Sequence, residues 1–171
     1  NGNGLLSMPL NPDNGKPITA QLLAAQYEDP WSRGIIEELN AKLSGEKSLS
    51  DLSRRQRSQL DLFRLSPQHG LLEHQYISKY AAYWVPYIPS GPCSLDTSIT
   101  WRQWIFNQIH YSLAQGAHRG LSQTLSLAKR MAWWESLTSD IEDAHRMCDV
   151  CARNRGRAIQ GLHQSPEAFE G

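Results

Sequence analysis

Three of the 171 residues are cysteine, three are phenylalanine and three are methionine. An odd, sparse set of thiols cannot frame a disulfide scaffold of the kind small secreted domains use. No apolar run approaches the roughly 18–20 residues that a membrane span needs, and the mean hydropathy is −0.52. The opening Asn1-Gly2-Asn3-Gly4 has no basic flank and no apolar stretch behind it, so nothing there reads as a signal peptide. It also lacks an initiator Met, which we read as the mark of a processed or excised piece. Net charge is missing too. Seventeen Lys+Arg face seventeen Asp+Glu, which removes the global basicity that announces many nucleic-acid binders. A membrane protein, a cystine scaffold and a wholly disordered tail are excluded as descriptions of the chain.

What is present is mainly helical. Residues 1–17 are rich in Asn, Gly and Pro and read as a flexible lead-in. Thr19 is expected to cap a helix running through Tyr27, which Asp29-Pro30 breaks. A second helix runs from about Trp31 to Leu43, with Ile35, Ile36, Leu39 and Leu43 on one face and Gly45 closing it. A third is expected to open at Ser48-Leu49-Ser50-Asp51 and to run to Ser66-Pro67, its stripe being Leu49, Leu52, Leu60 and Phe63. The character changes over 71–89, where aromatic and β-branched residues predict a small hairpin that Pro86 and Pro89 confine to a sheet edge. Within it, Tyr80, Tyr83, Trp84 and Tyr87 suit either a core or a base-stacking platform. Ser90-Gly91-Pro92 is a turn and the expected boundary of an N-terminal domain spanning 18–92.

Three more helices are predicted from residue 100 onward. Trp101, Trp104, Ile105 and Ile109 form the first stripe. Leu121, Thr124, Leu125, Ala128 and Met131 form the second. Ser139-Asp140-Ile141-Glu142 reads as a capping box opening the third, which continues through His145 to Cys148. Residues 152–171 lose periodicity and read as a basic linker.

The pattern that carries chemistry lies in this second half. His110 and His118 are separated by seven residues, and after 29 intervening residues come Cys148 and Cys151, a C-x2-C pair. Two imidazoles and two thiolates are a borderline-soft tetrahedral set, which zinc accepts without strain. Four protein ligands leave no open position, so the expected ion is structural, and its binding energy stabilises a small fold. A redox role for the C-x2-C pair would want a βαβ context, which is missing here. A zinc deaminase would show His-x-Glu and Pro-Cys-x-x-Cys, whereas His110 is followed by Tyr111-Ser112 and Cys148 is preceded by Met147. His145 is the rival ligand. Cys93, in a Ser-Gly-Pro-Cys turn, reads as a buried or loop thiol, and His69, His74 and His163 read as surface or packing residues.

His110, His118-Arg119-Gly120, Thr124-Leu125, Arg130, Trp133-Trp134, Asp140-Ile141 and Cys148-x2-Cys151 together resemble the His-His-Cys-Cys zinc-binding domain of integrases from gypsy-like LTR retrotransposons and retroviruses. The resemblance covers 100–156, inside a domain placed at 98–156. More loosely, 18–90 resembles the N-terminal extension of gypsy-like and foamy-virus integrases, through Gly70-Leu71-Leu72 and Val85-Pro86. Glu135 departs from the Pro that often follows the tryptophans in the family, but it is not a ligand. The fold implied is mainly α: a small helical extension with a short hairpin, then a zinc-stabilised, helix-turn-helix-like unit of three helices.

The role implied by the resemblance is that of a non-catalytic module. It would bind one structural zinc through His110, His118, Cys148 and Cys151, self-associate and bind the ends of element DNA in the nucleus. The catalytic core, with two Asp and one Glu holding paired metals, would follow the linker 157–171, so no enzymatic activity is expected of this segment. Arg146, Arg153, Arg155 and Arg157 against Asp149 give residues 144–163 a charge of +3. Such Arg forks match phosphate oxygens, which makes Arg153, Arg155 and Arg157 candidate DNA contacts, with Arg119, Lys129 and Arg130 beside them. For the second basic patch, Arg54, Arg55 and Arg57, a solvated face and a DNA contact stay equally open. The competing function is that of a host-domesticated module of the same origin, used for protein–protein contact.

Overall fold

The computed structural model describes residues 15–47, 51–111 and 120–148. Residues 1–14 of the expected lead-in 1–17 and the whole of the expected linker 157–171 lie outside them. The described residues divide into two compact units, one holding 15–102 with 130–134, the other 103–111, 120–129 and 135–148. Among them are six α-helices and two small antiparallel sheets, in agreement with the mainly helical expectation.

In the first unit, α1 (Thr19–Glu28) and α2 (Pro30–Ser44) meet at a sharp joint that the sequence dictates. Pro30 takes the first helical position, where its missing N–H costs nothing. Asp29 accepts hydrogen bonds from the Ser32 backbone N at 2.9 Å and from its Oγ at 2.9 Å, satisfying an orphan donor of the new helix. Gly45 ends α2 with φ of 74°, the left-handed conformation that a C-cap requires. Thr19 is the first residue of α1 rather than its cap, which is Ile18.

The third helix departs from expectation. It is short, α3 (Arg54–Gln59), and is followed by a 3-10 turn at Leu60–Leu62 and then by β1 (Phe63–Leu65). Ser53 caps it in a reciprocal box: the Gln56 N donates to Ser53 Oγ at 3.1 Å, and the Ser53 N donates to Gln56 Oε1 at 2.8 Å. Phe63 had the spacing of a helical stripe, but pairing with His74 draws it into a sheet. Residues 48–50, where this helix was predicted to open, lie outside the described part. Gly34 on α2 faces this segment closely: a Cβ there would stand 3.1 Å from Leu52 Cδ2 and 3.3 Å from Gln56 Nε2.

The hairpin forms as predicted, with β2 (Leu72–Ile77) antiparallel to β3 (Ala82–Pro86) in the register His74 to Val85 and Tyr76 to Tyr83. The sheet order β1-β2-β3 leaves β3 at an edge, as its prolines demand. Just beyond β3 the edge is met by Trp133, whose N donates to Pro86 O at 2.9 Å and whose O accepts from Ile88 N at 3.0 Å, a single parallel bridge. Its ring stacks on His74 with centroids 3.8 Å apart and planes 2° from parallel, and stands edge-on to Phe63 at 5.5 Å. The aromatic stretch is thus mixed in role: Tyr87 is buried, Tyr83 and Trp84 are half-buried, and Tyr80 at the hairpin tip is 87% exposed.

A second sheet of two strands, β4 (Pro92–Cys93) and β5 (Asp96–Thr100), was not foreseen. It buries Cys93 completely, and burial pushes that thiol's pKa up despite opposing hydrogen bonds from the Leu95 and Asp96 backbone.

The second unit is built from α4 (Trp101–His110), α5 (Leu121–Met131) and α6 (Leu137–Arg146), so three helices stand where three were predicted. The start of α6 is a correction. Leu137 and Thr138 are already helical, the residue before them, Ser136, makes no side-chain cap bond, and Ser139 turns its hydroxyl back to Ser136 O at 3.2 Å. Ser139 and Glu142 therefore form no capping box, because the apolar Leu137 pulls the first turn two residues upstream to bury itself.

Candidate metal centre

The last residue of α4 is His110, whose side chain is fully buried. Phe106, one turn earlier, stacks on it with centroids 4.9 Å apart and planes at 24°. Tyr111 meets its edge at 4.8 Å. From α5, fully buried Thr124 brings its Oγ1 to 3.4 Å from His110 Nδ1. Thr124 and Ala128 form the buried side of α5, while Ser122, Ser126 and Lys129 share an exposed side at helical spacing.

The inward face of α6 is Leu137, Ile141 and His145, and Cys148 continues the same stripe just past the helix end. The Cys148 N donates to His145 O at 3.2 Å, tightening the final turn. Cys148 is buried, and the Tyr111 hydroxyl donates to its Sγ at 3.5 Å. His145 stands edge-on to His110, with centroids 4.9 Å apart. The C-terminal ends of α4 and α6 thus touch through His110–His145 and Tyr111–Cys148, and each end carries one residue of the expected quartet.

The other two, His118 and Cys151, lie outside the described residues, as do Arg119, Arg153, Arg155 and Arg157. Among the described residues, no three His, Cys, Asp or Glu side chains converge tightly enough to hold a metal. His145 therefore does not complete a set with His110 and Cys148. Of the candidate DNA contacts that are described, Lys129 is exposed and Arg130 half-buried. Arg54, Arg55 and Arg57 are all exposed on α3.

The chemistry of the described pair fits zinc. Cys148 is a buried sulfur that accepts a hydrogen bond from the Tyr111 hydroxyl, and cysteine sulfur is a preferred zinc ligand. An imidazole with one nitrogen held by a hydroxyl is the arrangement usual for ligating histidines.

These helices, with His110 ending α4 and Cys148 just past α6, form a small helical unit with candidate metal ligands at its helix ends. Residues 98–157 match the family model of the integrase zinc binding domain. That match spans α4 to α6 and contains all four candidate ligands. A zinc-binding domain of this type is non-catalytic by itself. None of the curated proteins or solved structures compared with the chain matches it. Among the described residues no helix is long and apolar enough to cross a membrane. The sequence reading did not single out Tyr111 as a neighbour of the site; only its place next to His110 could have signalled it.

Proposed function

We propose that this chain is the non-catalytic N-terminal module of a retroelement integrase. It binds one zinc ion through His110, His118, Cys148 and Cys151, self-associates, and helps hold the ends of element DNA in the nucleus for a catalytic core located elsewhere in the protein. The observation that carries this reading is the family match over 98–157, which encloses the whole ligand spacing. The contacts between the ends of α4 and α6, His110 with His145 and Tyr111 with Cys148, support it.

DNA binding is assigned to Lys129 on the exposed side of α5, with Arg119, Arg130, Arg153, Arg155 and Arg157. Each phosphate contact contributes about −0.9 to the slope of log K against log salt. If all six engage, the slope is on the order of −5. Zinc stoichiometry by elemental analysis, and anisotropy titration of a labelled linear duplex across a salt series, test both parts. One zinc per chain and a steep salt slope are expected, with DNA binding lost on chelation or in Cys148→Ser. A chain that carries no zinc, or one that binds DNA equally well when stripped, overturns the proposal. Zinc-dependent self-association in sedimentation runs, without DNA affinity, would instead favour a protein-contact module.

A further inference from the structure

His110 is sealed on every described side, and what touches its ring edge decides which nitrogen is available for chemistry. Phe106 covers its face, Tyr111 and His145 stand against it, and Thr124 Oγ1 lies 3.4 Å from Nδ1. A zinc ion bound at Nδ1 would sit about 2.0 Å from that nitrogen. On the line to the hydroxyl it would then be roughly 1.4 Å from Oγ1, well inside any zinc–oxygen distance. The Thr124 hydroxyl thus occupies the Nδ1 edge, and Nε2 is the nitrogen through which the ring would ligate a metal.

A neutral imidazole with its lone pair at Nε2 carries its proton at Nδ1. Thr124 offers acceptor lone pairs to that proton. A hydroxyl can also donate, and if Thr124 donated to Nδ1 the proton would move to Nε2 and close off the ligand position. The two directions of this one hydrogen bond therefore correspond to a histidine that can bind metal and one that cannot.

We infer that Thr124 is a positioning residue for the metal centre: it accepts the Nδ1 proton of His110, fixing the tautomer and ring orientation that present Nε2 to zinc. The inference rests on the zinc reading above. Thr124 reaches His110 from a different helix, 14 residues along the chain, so the same bond ties the ligand-bearing end of α4 to α5. Metal binding and docking of these two helices are consequently coupled through one hydroxyl. Partners of this kind typically change metal affinity by about 10–100-fold when removed.

The test uses the full chain as wild type, Thr124→Val and Thr124→Ser, with zinc affinity measured by competition against a chromophoric chelator. Valine keeps the buried shape and removes the hydroxyl, and serine keeps the hydroxyl and removes a methyl. The expected result is a 10–100-fold loss for Thr124→Val and an affinity within about threefold of wild type for Thr124→Ser. Nitrogen-15 spectra of the histidines in zinc-loaded wild type should show His110 protonated at Nδ1 and ligated at Nε2. Equal affinities for wild type and Thr124→Val, or failure of serine to rescue, overturn the inference. So does ligation through Nδ1, a readout that decides the matter even if Thr124→Val does not fold. Wild type that takes up no zinc fails the underlying reading instead, and is distinguished by that control.

Discussion

Gln26 is a fully buried amide in the middle of an apolar unit, and replacing it with leucine should be costly out of proportion to the volume changed. Its Nε2 donates to Leu72 O at 3.0 Å and to Tyr87 O at 2.8 Å, and its Oε1 accepts from Leu72 N at 2.8 Å. One side chain on α1 thereby serves backbone groups from two segments 15 residues apart, at the start of β2 and just past β3. In Gln26→Leu, Leu72 O keeps its bond from Tyr87 N at 2.9 Å, so that carbonyl loses little. The Leu72 N–H loses its acceptor in a buried position, which costs about 1–3 kcal/mol. The Tyr87 carbonyl loses an amide donor, adding on the order of 1 kcal/mol. Burying two methyls instead of an amide returns part of this, leaving a net destabilisation of about 1–3 kcal/mol. Because the chain holds two units, a global denaturation curve is a blunt tool. Amide hydrogen exchange at Leu72, combined with urea unfolding followed by tryptophan fluorescence, reads the effect locally. A loss under about 0.5 kcal/mol with unchanged Leu72 protection would refute the accounting, because it would mean that water or a relaxed backbone serves those groups just as well.

His74 supplies a pH dependence. Burial lowers its pKa below the ordinary histidine value, partly offset by the Gln75 backbone. The unfolded chain then binds the proton first, so stability should be complete above about pH 6.5 and fall as pH drops from there through the depressed folded value. Histidine-to-phenylalanine substitution, which keeps an aromatic ring against Trp133, should flatten that part of a stability-against-pH curve; an unchanged curve would dissociate His74 from it. Trp133→Ala should remove the stack on His74 and the edge contact with Phe63, costing about 2–4 kcal/mol for a half-buried tryptophan. The loss should appear in amide exchange of the β2–β3 hairpin, and intact protection there would sink the idea. Gly45→Ala forces a β-carbon into a φ of 74° with nothing within 4 Å to clash, so the cost is backbone strain of about 1 kcal/mol, with Gly45→Asn cheaper; thermal melts of the two variants should rank in that order.

The elements that could be read from sequence were those whose boundaries are set by neighbours in the chain. Asp29-Pro30 and Gly45 fix the limits of α2 through bonds reaching no more than four residues. The hairpin over 72–86 was legible because its aromatic and β-branched run has few other ways to pack. The errors share a cause. Leu49, Leu52, Leu60 and Phe63 match a helical period, yet Phe63–Leu65 pairs with Leu72–His74, a demand from a segment about ten residues away. A better local signal was present in Ser53 and Gln56, an S-x-x-Q box that starts α3 where it does. Ser139 and Glu142 had the form of a capping box without the function, since a cap must precede the first apolar contact and Leu137 lies upstream of both. Gln26 had no signature at all: glutamine on an amphipathic helix is ordinarily a solvent-facing residue, and its burial follows only from strands the helix comes to cover.

The metal centre divides along the same line. Ligands leave a trace in sequence because metal chemistry restricts both residue type and spacing; His110 and Cys148, read from that pattern, do stand at helix ends in one unit. The hydroxyls beside them leave a weaker trace. Thr124 stood in the α5 stripe and in the run that resembles the zinc-binding family, with nothing to say what it faces, and Tyr111 simply followed a histidine. Their roles exist only once α4, α5 and α6 meet, because a hydroxyl acquires a direction from what it faces. That difference has a practical consequence for variants of this chain. On the proposed zinc reading, substitution of a ligand should remove metal outright, whereas substitution of Thr124 should change how readily the site takes its metal while every ligand remains. Zinc affinity measured at limiting metal separates the two, and a ligand-only view of the centre would predict no change for Thr124→Val.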